Sequence, residues 1–234
     1  MVSPTIARRP ALRYNHWQQD VPKENPRSRL TMQDAEVDVT PHLHYAHFYE
    51  PSHFPAAEIA SFLYRGIRQG EAVILMASLA HAALIEEETK KLRVNVRDLR
   101  NAGLWDVTEV EEMLQEFESG KPTPTILEHF IEATVRPAQA RSSSKRIRIY
   151  GELEDAILSR LGNAEAALEI ERYGNRLVAE GIAKIYCGYS KASFPDESFA
   201  KPFMKVCQLH DHVHNGLKDQ DDWRYQMADK MATI

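Results

Sequence analysis

Arg146-Ile-Arg-Ile-Tyr-Gly-Glu152 decides how the rest of the chain reads. Ile147 and Ile149 alternate with Arg146 and Arg148, the period-two signature of a strand, and Tyr150 extends it. Gly151 breaks the strand and a helical pattern follows at once, so Glu152 falls at the carboxyl end of a sheet strand. In open α/β sheets ligands bind at that edge. A carboxylate there serves either as a functional group or as the first-turn acid of the next helix, which the helix dipole favours.

Upstream, Arg141 to Lys145 is a polar loop, and Thr125 to Ala140 reads as a helix that Pro137 must shorten or kink. Before it lie a short strand, Leu104 to Thr108, and a helix, Glu109 to Ser119. Glu71-Ala-Val-Ile-Leu-Met-Ala77 is a continuous apolar run, typical of a parallel strand covered on both faces, and Ser78 can cap the helix that follows to Leu92. The first strand is His44-Tyr-Ala-His-Phe-Tyr-Glu50, followed by a helix from Ala56 to Gln69 with Ile59, Phe62, Leu63 and Ile67 on one face. Downstream come a helix to Arg160, a long helix from Ala164 to Glu180, a strand from Ile182 to Tyr189 and a helix from Phe199 to His214. Strands alternating with helices predict an α/β fold: a mostly parallel central sheet of about five strands with helices on both faces. The expected organisation is a flexible N-terminal tail over 1–41, one domain over 42–216 and a polar C-terminal tail over 217–234.

The 234 residues suffice for one α/β domain with a sizeable core. A formal net charge of −5 and the lack of a Lys/Arg-rich run argue against nucleic-acid binding. No apolar run has membrane-spanning length, and polar residues and prolines interrupt the N-terminus where a signal peptide would need an apolar segment. Two cysteines, Cys187 and Cys207, make no disulfide framework. The expectation is a soluble cytoplasmic protein.

A parallel α/β domain raises the question of nucleotide binding, but GxxxxGK[ST] and GxGxxG are both absent. Between first strand and first helix the chain reads Glu50-Pro-Ser-His-Phe-Pro55, with no glycine to wrap backbone N–H groups around a phosphate and no lysine. There is no GxSxG elbow for a serine hydrolase. Histidines cluster at His42, His44 and His47 and again at His210, His212 and His214. On a helix His210 and His214 stand four apart and can reach one metal, but HxxxH without a catalytic glutamate is a weak motif; no metal or cofactor is expected. Cys187 and Cys207 read as buried, inert thiols. What remains is a set of polar groups at strand ends, namely Glu50, Asp106, Glu152 and Tyr189-Ser190, which a parallel sheet brings to one edge.

Several blocks in order resemble the MEDS domain, the sensory domain named for methanogens, methylotrophs and the DcmR regulator. They are His44 to Glu50, Gly66-Ile-Arg-Gln-Gly-Glu71, Trp105-Asp106, Tyr150-Gly-Glu152, Ala166 to Glu171 with Asn175, Cys187-Gly-Tyr189 with Phe194, and Val206-Cys-Gln-Leu-His210. The family is similar to RecA/KaiC-like domains that lack the phosphate loop. The resemblance implies a non-catalytic sensory module that recognises a small organic molecule, with hydrocarbon derivatives proposed. It would pass the signal to a partner such as a histidine kinase or a transcription regulator. A tryptophan frequent in the family is Gly174 here, which would enlarge a pocket or loosen a helix contact. The residues expected to line the pocket are Tyr49, Glu50, Asp106, Glu152 and Tyr189, supported by Glu171 and Asn175, which share a helix face at i, i+4. Two alternatives stand beside this reading: a protein-interaction module with a vestigial pocket, and an enzyme in which Asp106 and Glu152 share a proton.

Overall fold

The protein is described from a computed structural model covering residues 43–232. The tail expected over 1–41, with His42, lies outside the described residues.

Among the described residues six parallel strands form one sheet in the order β3-β2-β4-β5-β1-β6: β1 His44–Tyr49, β2 Ala72–Ala77, β3 Trp105–Glu109, β4 Ile147–Gly151, β5 Ala183–Ser190 and β6 His212–Gly216. Every residue of β2 and β4 is buried. Helices α1 (Ala56–Arg68), α2 (Leu79–Lys91) and α3 (Val96–Asn101) cover one face, packing Ile59, Phe62, Leu63, Ile85 and Val96 on Val73, Leu75, Tyr150 and Tyr186. The opposite face is covered by α4 (Val110–Glu118), α5 (Thr123–Phe130), α6 (Arg136–Arg141), α7 (Leu153–Ala156), α8 (Ala164–Ala179), α9 (Ala200–Gln208) and α10 (Trp223–Ala232). Pro137 falls just after a wide turn over Ile131–Val135, which divides the helix expected over Thr125–Ala140 into α5 and α6.

The helix side switches where β2 meets β4 and again where β5 meets β1, because α1 and α2 leave on one face while α7, α8 and α9 leave on the other. Crevices open outside the carboxyl ends of the strands at such points.

Two sequence expectations need correction. The sheet has a sixth strand: the helix expected to reach His214 stops at Gln208, and His212-Val-His-Asn-Gly216 pairs with β1. The segment from 217 onward is not simply a polar tail, since Leu217 and Ala228 are buried and Trp223 packs edge-on against Phe203 with ring centroids 5.4 Å apart. In β4 the alternating arginine is itself in the core: Arg148 is completely buried, its Nε 2.6 Å from Glu71 Oε2, with an N–H donating to the Phe62 carbonyl at 2.9 Å. Gly66 on α1 leaves the room for this guanidinium; a methyl there would lie 2.6 Å from Arg148 Cδ.

Candidate functional site

Two polar centres occupy the sheet, and they divide the candidate residues between them. The first lies at the carboxyl edge. Leaving β4, the chain turns at Glu152, whose N–H donates to the Met76 carbonyl at the end of β2. The buried Glu152 carboxylate reaches from the end of β4 to the start of α2. It accepts from the Ser78 N–H at 2.6 Å and from the Tyr150 hydroxyl at 3.2 Å, and its other contact is His81 Nδ1 at 2.6 Å. Glu152 is therefore not merely a first-turn acid of its own helix; it binds the start of α2, where Ser78 is the N-cap. Phe54, from the loop between β1 and α1, lies flat on His81 with centroids 3.8 Å apart and meets Tyr49 and Tyr150 edge-on. Tyr49 is buried beneath it, and burial raises its phenol well above the ordinary range. One strand pair along, Glu50 is half-buried, with Lys191 Nζ 3.5 Å away and the Lys218 N–H donating to it at 3.4 Å. Asp155 receives the Ser190 N–H at 2.9 Å, and burial pushes its carboxyl up to about 7.

The second centre is under the sheet, between β1, β5, α8 and the turn after α9. Glu171 on α8 is buried, and its Oε1 accepts from the Tyr189 hydroxyl. Its Oε2 lies 3.1 Å from His44 Nε2, 3.2 Å from His210 Nε2 and 3.8 Å from Cys187 Sγ. Asn175, one turn along α8, donates to the Leu209 carbonyl at 2.8 Å and turns its oxygen to His44 Nδ1 at 3.0 Å. Burial alone would raise Glu171, but His210 and His44 outweigh it and hold the carboxyl well below its usual range. Burial likewise disfavours a charged His44, and Glu171 more than offsets this, so its pKa is raised. Nearby Glu154 is pushed up to about 8 by burial and by the charge of Glu171. Gly174 does not open a pocket: a Cβ there would stand 3.3 Å from the His44 ring and 3.2 Å from Ile185, so glycine lets α8 approach this centre.

Of the expected residues, Tyr49, Glu50 and Glu152 gather at the edge, while Glu171, Asn175 and Tyr189 belong to the second centre. Asp106 joins neither. It is exposed on the outer strand, opposite Ile74, and β2 lies between it and the strand that carries Glu152, two strand spacings or about 10 Å away. The carboxylate pair required by the enzymatic alternative is therefore not formed. The histidines also pair differently from the helix reading: His210 meets His44 on one face, ring centroids 4.1 Å apart, and His214 meets His47 on the other at 4.3 Å. Sequence reading missed Phe54, His81, Cys187 and His210. Cys187 carried a signal, because on a strand it shares a face with Tyr189.

An open groove of about 300 Å³ runs along α2 between Leu79, Ala82, Arg100, Val107, Glu109 and Glu112, with Leu79 largely exposed at its start.

Fold and edge together define a parallel α/β domain whose first strand-to-helix loop carries aromatic rings in place of a phosphate cradle. The family model of MEDS, the methanogen/methylotroph, DcmR sensory domain, matches residues 43–210, and the chain belongs to that family. No curated protein matches the chain. Among the described residues no helix is long and apolar enough to cross a membrane.

Proposed function

We propose that the protein is a non-catalytic sensory module that binds a small organic molecule carrying a hydrogen-bond donor at the β2/β4 crevice. The observation that carries this reading is the Glu152 carboxylate, buried at a helix-side switch point beneath an aromatic lid of Phe54 on His81. An acceptor under an aromatic ring suits an alcohol, an amine or a related hydrocarbon derivative. Ligand entry would lift Phe54 and exchange one donor on Glu152. Because Ser78 opens α2, the exchange would be felt along α2 and its Leu79 groove, where a signalling partner such as a histidine kinase or a transcription regulator would read it. Sensory membership of the family supports this role.

The test is a thermal-shift screen with short-chain alcohols, amines and halogenated hydrocarbons. A ligand at a hundred times its dissociation constant stabilises by about 2.7 kcal/mol. In Glu152→Gln, affinity for the same compound should fall about ten- to a hundredfold, as expected for a lost charge-assisted hydrogen bond. Absence of any shift in the unaltered protein, or unchanged affinity in Glu152→Gln, would overturn the assignment.

A further inference from the structure

In the second centre one buried atom, His210 Nε2, is left without a hydrogen bond. His210 Nδ1 lies 2.7 Å from the Val206 carbonyl, which can only accept, so Nδ1 carries the hydrogen. Asn175 is oriented by its bond to the Leu209 carbonyl, so its oxygen faces His44 and His44 Nδ1 also carries the hydrogen. When the two rings are neutral the lone pair is on Nε2 in each, and both Nε2 atoms converge on the same oxygen of Glu171. His210 Nε2 is buried and makes no hydrogen bond, although it stands 3.2 Å from that oxygen. Cys187 Sγ completes the group 3.4 Å from His44 Nε2. Lone pairs from two imidazoles, a carboxylate and a sulfur thus point at one another inside the protein, with all four ligand atoms within 4.8 Å.

From these contacts we propose that His44, Glu171, Cys187 and His210 form a closed four-ligand site for a divalent transition-metal ion of the zinc class. Bonds of 2.0–2.3 Å to a tetrahedral ion place neighbouring ligand atoms about 3.3–3.7 Å apart. The observed separations of 3.1, 3.2, 3.4 and 3.8 Å bracket that edge length. Charge balances as well: two neutral imidazoles, one carboxylate and one thiolate neutralise a divalent cation, so the buried site carries no net charge. The surroundings match those of metal ligands elsewhere. Each histidine is oriented through its other nitrogen, and Tyr189 donates to the distal carboxylate oxygen. The mixed N, O and S donor set favours zinc over magnesium or calcium. Four protein ligands with His44, Glu171 and Cys187 all buried leave no open position, so the ion staples β1, β5, α8 and the turn after α9 together. The site is independent of the sensory crevice, and either assignment can fail without the other.

The test uses the chain without a histidine tag. Elemental analysis of the purified protein should give one zinc per chain. Treatment with 1,10-phenanthroline should remove it and lower the melting temperature, and added Zn²⁺ should restore both. Replacement by Co²⁺ should give strong tetrahedral visible bands together with a near-ultraviolet thiolate-to-cobalt band. In Cys207→Ser, where Cys187 is the only thiol, the thiolate band should persist; in Cys187→Ser it should vanish. A metal-free protein that gives neither a cobalt spectrum nor a thermal shift with Zn²⁺ would overturn the proposal. So would a thiolate band that disappears in Cys207→Ser, which keeps the assigned ligands intact if Cys187→Ser fails to fold.

Discussion

At the scale of single residues, two side chains show how environment reverses an expectation. Gly66 lies within a helix, where replacing glycine by alanine ordinarily gains about 1 kcal/mol. Here the added methyl would collide with Arg148, whose buried guanidinium is fixed by Glu71 and Phe62. Overpacking costs about 1–3 kcal/mol, so Gly66→Ala is expected to lower stability in a urea titration; a rise would show that Arg148 has room to move. Glu152 would contribute only about 0.3–1 kcal/mol if it merely complemented a helix dipole. Its carboxylate instead serves the Ser78 N–H, the Tyr150 hydroxyl and His81. An amide keeps the shape but loses the charge and one acceptor, so Glu152→Gln should cost about 1.5–3 kcal/mol of unfolding free energy by chemical denaturation.

At the scale of elements, α8 carries Glu171 and Asn175 and depends on how it starts. Gly162 takes a left-handed conformation, and the Asn163 side chain then accepts the Ala166 N–H at 3.1 Å. Loss of such a cap typically costs about 1 kcal/mol, so Asn163→Ala should reduce stability by that amount in thermal or urea unfolding. The Gly162-Asn163 break, like most elements, was legible because hydrophobic period and punctuation agree there. The second half of the carboxyl-terminal region was not. In β6 only Val213 is buried, and an edge strand faced by solvent lacks the apolar run that identifies a strand. His210 and His214 then fall at helical spacing by coincidence and suggest a pair that β6 separates. Site residues were legible where one element sufficed, as with Glu171 and Asn175 on one helix face. They were hidden where the grouping comes from strand order, as with His44 and Cys187, 143 residues apart. Asp106 marks the same limit, because nothing local reveals that its strand is the outer one.

At the scale of the whole molecule, buried groups respond in opposite senses to acid. Burial, reinforced by His214, holds His47 down to about 3, and its Nδ1 shares a hydrogen bond with the buried Tyr186 hydroxyl. In the unfolded chain this ring takes up a proton near 6.5. Between 6.5 and 3 the unfolded state binds the extra proton, so the His47 contribution is complete above pH 6.5 and is lost as pH falls towards 3, at up to about 1.4 kcal/mol per pH unit. Asp155 has the opposite sign: its raised carboxyl stabilises below 3.8 and that contribution is lost as pH rises through about 7. The clean measurement is therefore the difference between the unaltered protein and His47→Gln in urea titrations at pH 7 and 5, where the variant should lose less stability on acidification. The sheet order has a further consequence for biosynthesis. Among the described strands β1 is made first, yet both its neighbours, β5 and β6, are made last. While the ribosome works, β2, β3 and β4 can assemble, but Ala46 and Phe48 must wait for segments more than a hundred residues behind them, and loop closure makes such distant pairing slow. Nascent chains arrested before Ala183 should stay sensitive to protease across β1, and protection should appear only once β5 has left the exit tunnel. For most of its synthesis the leading strand is thus an aggregation-prone edge, a natural client for a chaperone acting during translation.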